Sequence, residues 1–198
     1  MAKKPEKELS PGLRKLTGVV LQIAWILLLL ALASYTYRDI PWEHSPANSP
    51  AANWMGPLGA YLACGVFELL GLVGFLLPLA LAVAGILLYC SERRIGPQLA
   101  WMGVMLAFSA VLVDYWPVDF PADGAPPTFL QRIVVGKLNL ATMSGGWLGY
   151  LLGRCLLRPV LGVLGAALLS IAVLVAGAFF ATRTKPLELV RGWKELLQ

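Results

Sequence analysis

The chain has 198 residues, 58% of them hydrophobic and 14% charged, and its mean hydropathy is +0.71. That is too apolar for a soluble domain and marks an integral membrane protein. The net charge of +5 comes from basic residues gathered at the ends of apolar segments, which fits an anionic membrane surface rather than nucleic-acid recognition.

In chain order, residues 1–15 form a basic arm, and the first apolar run follows at 16–37. A basic arm, an apolar run and Ala31-Leu32-Ala33 also describe a secretory signal with its cleavage site, but the run is long for one. The second apolar run, 53–90, holds Glu68 as its lone charge; the third is 95–113; the fourth, 138–182, is broken only by Arg154 and Arg158. A bilayer core of roughly 30 Å takes about 20 helical residues, so the second and fourth runs are too long for one crossing and too short for two. Each is therefore expected to hold a short helix, at 57–69 and 145–158, lying in the interface or re-entering the membrane, followed by a spanning helix. The spans are placed at 17–35, 71–90, 96–115 and 161–181. The expected fold is all-α: a polytopic membrane protein with four transmembrane helices and two short interfacial or re-entrant helices on the outer side.

Eleven of the sixteen basic residues lie in the N-terminal arm, the turn at Arg93 and Arg94, and the tail from Arg183 to Lys194. Basic residues near span ends are retained on the cytoplasmic side, so both termini are expected there. The division is then 1–15 as a cytoplasmic arm, 16–182 as the transmembrane domain and 183–198 as an amphipathic cytoplasmic tail or the start of a linker. In that tail Leu189, Trp193, Leu196 and Leu197 fall on one helical face.

The second and fourth runs echo each other. Gly56, Leu58, Gly59 and Leu62 align with Gly146, Leu148, Gly149 and Leu152, and after a one-residue shift Gly71 and Gly74 align with Gly162 and Gly165. A chance match in Leu/Gly-rich sequence is the competing reading. On this map Glu68 and Arg158 fall at corresponding helix ends. Two readings then explain how an apolar run tolerates Arg154 and Arg158: they snorkel to lipid headgroups, or one of them pairs with Glu68. Gly145, Gly149 and Gly153 form two GxxxG steps, a flat ridge for close helix packing within the chain or between chains.

Motifs that carry chemistry are missing: there is no GxxxxGK[ST] loop, HExxH or GxSxG. His44 stands alone in a polar loop, and Asp114, Asp119 and Asp123 follow the third span without a catalytic pattern. No catalytic, cofactor or metal site is expected. Cys64, Cys90 and Cys155 read as small hydrophobes, with a Cys64–Cys155 disulfide as the alternative because the two sit at matching places in the echo.

Together, "SYTYRDIPW" at the exit of the first span, "NWMGPLGAYLA" at 53–63, "GLVGFLLP" after it and "GGWLGYLLG" at the start of the last helical pair resemble the N-terminal four-span region of the FtsK/SpoIIIE family of DNA translocases. The likeness runs over about residues 15–182. Ile40 separates the Asp and Pro of the loop motif, and the loop before the last pair is longer than is usual for the family. The resemblance implies an anchor in the bacterial inner membrane, enriched at the division septum. It would contact other cell-division membrane proteins and gather protomers into a homo-oligomer, hexameric in the full-length protein. It also implies no ATP hydrolysis and no direct nucleic-acid contact from this region; the family's motor residues have no counterpart here to carry over. A small four-span transporter or channel is the alternative, although the first three spans offer few polar residues beyond Gln22, Gln98 and Ser109.

Overall fold

Ser10 starts the first helix: its hydroxyl accepts from the Leu13 N–H at 3.4 Å, and Pro11 takes the first helical position, where a missing N–H costs nothing. The structure is a computed structural model and describes residues 10–90, 96–115, 137–139 and 144–182, with side chains to residue 180. Helix α1 spans Pro11–Ala33, α2 Gly56–Leu70, α3 Leu76–Cys90 and α4 Gly96–Asp114. The last pair comprises α5, Gly146–Gly149, which runs on as a π-helical stretch over Tyr150–Leu157, and α6, Arg158–Thr182. A 3-10 turn, Gly71–Phe75, joins α2 to α3. All described elements are helical, and four stretches, Pro11–Ala33, Gly56–Cys90, Gly96–Asp114 and Gly146–Phe180, are long and apolar enough to cross a membrane.

The boundaries differ from the sequence reading in three places, one being that the second span, placed at 71–90, begins as the 3-10 turn and becomes α-helix only at Leu76. Helix α1 begins at Pro11, so Arg14 and Lys15, read as the end of the arm, lie in its first turns. The break in the last pair falls at Gly162, φ 70° and ψ 173°, a kink that separates residues 158–161, which continue the short helix, from the long helix after it. The N-terminal arm, the turn at Arg93 and Arg94, the loop with Asp119 and Asp123, and the amphipathic tail lie outside the described residues.

Small residues set the packing, because within lipid the gain comes from close backbone approach rather than from leaving water. Helix α1 lies against α3: a Cβ on Gly18 would come 2.9 Å from the Gly85 carbonyl and 3.0 Å from the Tyr89 amide nitrogen. Beside this crossing Gln22 Nε2 donates to the Ala82 carbonyl at 2.9 Å, and Trp25 Nε1 donates to Gln22 Oε1 at 2.8 Å. Helix α4 lies against α6, where Trp101 stacks on Phe180 at 4.9 Å and Met105 covers Gly177. Outward faces stay apolar, with Leu16, Val20, Ile23, Leu79 and Leu168 all more than half exposed, the inversion expected of a surface that meets lipid tails.

Each half is thus a helix, a connection, a glycine-led short helix, a break and a long helix. Gly56 and Gly146 both have positive φ, 66° and 64°, and so do the breaks at Gly71 and Gly162, 58° and 70°. The first pair spans one residue fewer between these glycines than the second, and the extra residue falls where the second is π-helical, a geometry that absorbs one added residue per bulge.

Candidate functional site: the loop end of the bundle

The end of the bundle where α1 and α4 finish and α2 and α5 begin holds most of the buried polar groups. Asp39 organises it. Its carboxylate accepts from Asn48 Nδ2 at 2.7 Å, from the Ala52 N–H at 2.9 Å and from the Asn53 N–H at 2.9 Å. Asn53, also buried, donates from Nδ2 to the Ala31 carbonyl at 2.8 Å and accepts the Met55 N–H on Oδ1 at 3.0 Å. One side chain thereby satisfies an orphan carbonyl at the end of α1 and orders the turn that begins α2. Gly59 is required because a Cβ there would strike Asn53 Oδ1 and Met55 Cβ. Lys137 Nζ donates to the Ala33 carbonyl at 2.9 Å, a cation on the negative end of the α1 dipole. Beneath this polar lid Leu32, Ile40, Ala60, Ala63 and Phe67 form a fully covered core with Tyr35. Outside the spanning helices, burial pushes the Tyr35 phenol up from its ordinary value, with Cys64 adding to the effect.

Arg154 finds its partner across the helix pair. Its Nε lies 2.8 Å from Asp114 Oδ2 and its second guanidinium nitrogen 3.4 Å from the Asp114 carbonyl oxygen. Asp114 ends α4, where the helix dipole disfavours a carboxylate, and its side chain has no exposed surface. The guanidinium offsets both the dipole and the desolvation. Asp114 Oδ1 has no hydrogen-bond partner among the described residues. Next to it Tyr115 Oη donates to the Gly153 carbonyl at 3.0 Å, and burial, then the Asp114 charge, pushes that phenol up.

The glycine ridge explains how the pair comes together. Gly145 and Gly149 lie on the Ala110 carbonyl and the Asp114 Cβ with no room for a side chain, and Gly153 faces Val111 and Tyr115. Three small residues thus bring α5 and the π-helical stretch onto the end of α4 within one chain, and Arg154 follows the last of them. The expected partner Glu68 is elsewhere. It is exposed on α2, where its described contact is acceptance of the Cys64 thiol at 3.5 Å, and the pairing of Arg154 goes to Asp114 because Asp114 is the carboxylate the ridge brings within reach. Arg158 is exposed one turn further on.

Cys64 and Cys155 are both free thiols, one buried and one exposed, so the disulfide alternative falls away. His44 packs edge-on against Tyr37. Among the described residues no three His, Cys, Asp or Glu side chains converge on a metal position. Sequence reasoning placed Asp114 with the following loop and missed its pairing with Arg154. The usable signal was that the two are charges of opposite sign, Asp114 at the edge of one apolar run and Arg154 within another.

Four apolar helices, two of them broken at glycine, with the buried charges among the described residues at one end, define a multi-pass α-helical membrane domain. The model of the family described as the 4TM region of DNA translocase FtsK/SpoIIIE matches residues 11–194, and the chain belongs to that family. It is 27% identical to the DNA translocase FtsK of Shewanella oneidensis over 84% of this chain and 17% of the relative. It is also 27% identical to the proteins of the same name from Haemophilus ducreyi, over 78% of this chain and 15% of the relative, and from Pseudomonas aeruginosa, over 86% and 20%. The chain thus spans a fifth or less of the length of these relatives. No solved structure matches it. Four spanning-capable helices and family membership make it a multi-pass protein of the bacterial inner membrane.

Proposed function

We propose that this chain is the membrane-anchoring and assembly domain of a cell-division DNA translocase. It holds a cytoplasmic motor at the inner membrane of the septum, contacts other division proteins, and has both termini in the cytoplasm. The observation that carries the reading is the family match across all four helices, in relatives named as DNA translocases, of which this chain corresponds to a minor part. The chemistry of the bundle agrees with a tether. Three of the polar side chains inside it join helices: Gln22 to α3, Asn53 to α1, Arg154 to α4. Confinement to the membrane plane raises the effective concentration of protomers, so that a ring-forming motor assembles at lower copy number. The test is a chimaera in which residues 1–198 replace the membrane region of a bacterium's own septal DNA translocase. Septal fluorescence and restored chromosome segregation are expected. A chimaera spread evenly around the membrane, with normal expression, would overturn the septal role.

A further inference from the structure

The two halves of the chain meet in one direction only. The break of the first is seated on the start of the second: a Cβ on Gly71 has no room against the Ser144 carbonyl and the Gly146 nitrogen, a Cβ on Gly146 has none against Gly71 and Leu69, and the Leu72 N–H donates to the Ser144 carbonyl at 2.8 Å. Among the described residues nothing is seated on the corresponding surfaces at the outer ends of the repeat. Beyond its chain neighbours and its own helix backbone, a Cβ placed on Gly56 or on Gly162 meets no described atom within 4 Å. Helix α4 also packs on the first half's 3-10 turn, whereas α1 makes no comparable packing on α6.

The shared backbone geometry makes these surfaces equivalent to the occupied ones. Gly56 matches Gly146 and Gly162 matches Gly71 in the sign of φ, and the Gly59 N–H donates to the Met55 carbonyl as the Gly149 N–H does to the Gly145 carbonyl. A contact that joins two different surfaces of a repeat is heterologous. It leaves one surface of each kind unused, so it continues into further copies, closing as a ring where the rotation between copies allows and as an open chain where it does not. Nor is hydrocarbon a good cover for a helix break, because it offers the interrupted backbone no hydrogen bonds; Gly71 has protein over it.

We infer that a second copy of this chain seats its Trp54–Gly56 turn on the Gly162 break of the first, repeating between chains the contact that Gly71 makes with Ser144 and Gly146 within one. The donor corresponding to the Leu72 N–H is the Val163 N–H, and the acceptor corresponding to the Ser144 carbonyl is the Trp54 carbonyl of the second copy. The exposed side chains around them, Leu58 on one surface and Val160 and Leu164 on the other, suit a buried apolar contact, although lipid accepts them too. The repeated backbone defines the two surfaces, and a second copy as the occupant rests on the assembly role proposed above.

The experiment is cysteine cross-linking of the full chain in native membranes, with Cys64, Cys90 and Cys155 replaced by serine. Trp54→Cys combined with Val163→Cys is expected to give a ladder of covalent oligomers on oxidation. Leu72→Cys with Ser144→Cys is the internal reference and gives a cross-linked monomer. Trp54→Cys with Leu168→Cys reports random collision, and the specific pair should exceed it by about ten-fold or more, since a held contact raises effective concentration. No ladder, or one no stronger than collision, with the internal reference intact, overturns the interface. The mass of the wild-type chain in nanodiscs separates the two claims. Oligomers with no 54–163 cross-link remove this interface and leave self-assembly standing, whereas monomers throughout remove both.

Discussion

Two carboxylates hold the loop end, and each does so by different physics. Asp39 accepts three short hydrogen bonds, two from backbone amides that have no other described partner, so Asp39→Ala strands those donors. Its expected cost is about 2–4 kcal/mol, read as a lower melting temperature in detergent. Trp42→Ala, in the same loop and two-thirds exposed, removes only a ring stacked on Tyr61 and should cost about 1 kcal/mol or less. Asp114 is held by one charged partner. Losing either member leaves the other poorly satisfied, and Asp114→Asn or Arg154→Gln should each cost about 2–3 kcal/mol, below the full range for a buried pair because a third of the Arg154 side chain is exposed. The double variant should be less destabilised than the sum of the two by about 1–2 kcal/mol, while Glu68→Gln with Arg154→Gln should add within about 0.5 kcal/mol. Additivity in the first cycle, or coupling in the second, would reassign the pair.

At the scale of an element, the distinctive piece is the short helix of the second half. Its glycines at 145 and 149 admit no side chain against α4, whereas Gly103, on α4 itself, has open space around it. Gly149→Ala is therefore expected to lift the helix from α4 and lower stability by more than about 2 kcal/mol. Gly103→Ala is expected to be neutral or stabilising by up to about 1 kcal/mol, the helix-propensity gain. The π-helical stretch makes a separate expectation. It accommodates one residue more than its counterpart in the first half, so deleting the exposed Leu156 should convert it to α-helix and leave the flanking contacts in register. Deleting Leu62 from α2, which has no residue to spare, should rotate every following contact out of place and abolish folded protein. Equal tolerance of both deletions, measured by monodispersity in detergent, would sink this account of the shift between halves.

For the whole molecule the expectation concerns orientation. With native cysteines removed, Ser49→Cys and Ala125→Cys should react with an impermeant maleimide added to intact spheroplasts, and Ser91→Cys should react only after lysis. Labelling of position 91 from outside would reverse the both-ends-in arrangement that the basic residues argue for.

Composition and run length alone determined that this is a four-span helical protein, because the bilayer imposes a length and a polarity that any sequence must display openly. The repeat was legible for the same kind of reason: its four key glycines stand where φ is positive, a conformation other residues rarely adopt, so the backbone's needs are written in residue type. Ridge glycines at 145, 149 and 153 were visible too, since spacing of four places them on one face. Their partner was not. Glu68 is a lone carboxylate within one apolar run and Asp114 borders another, and sequence spacing cannot rank them. Only the way α5 lies across the end of α4 decided that Arg154 meets Asp114. The same holds for Asn53 reaching the Ala31 carbonyl and Ser144 covering the Gly71 break. Local rules specify where a helix starts and stops, while pairings between residues distant in the chain depend on relative placement of whole helices, which no single segment encodes.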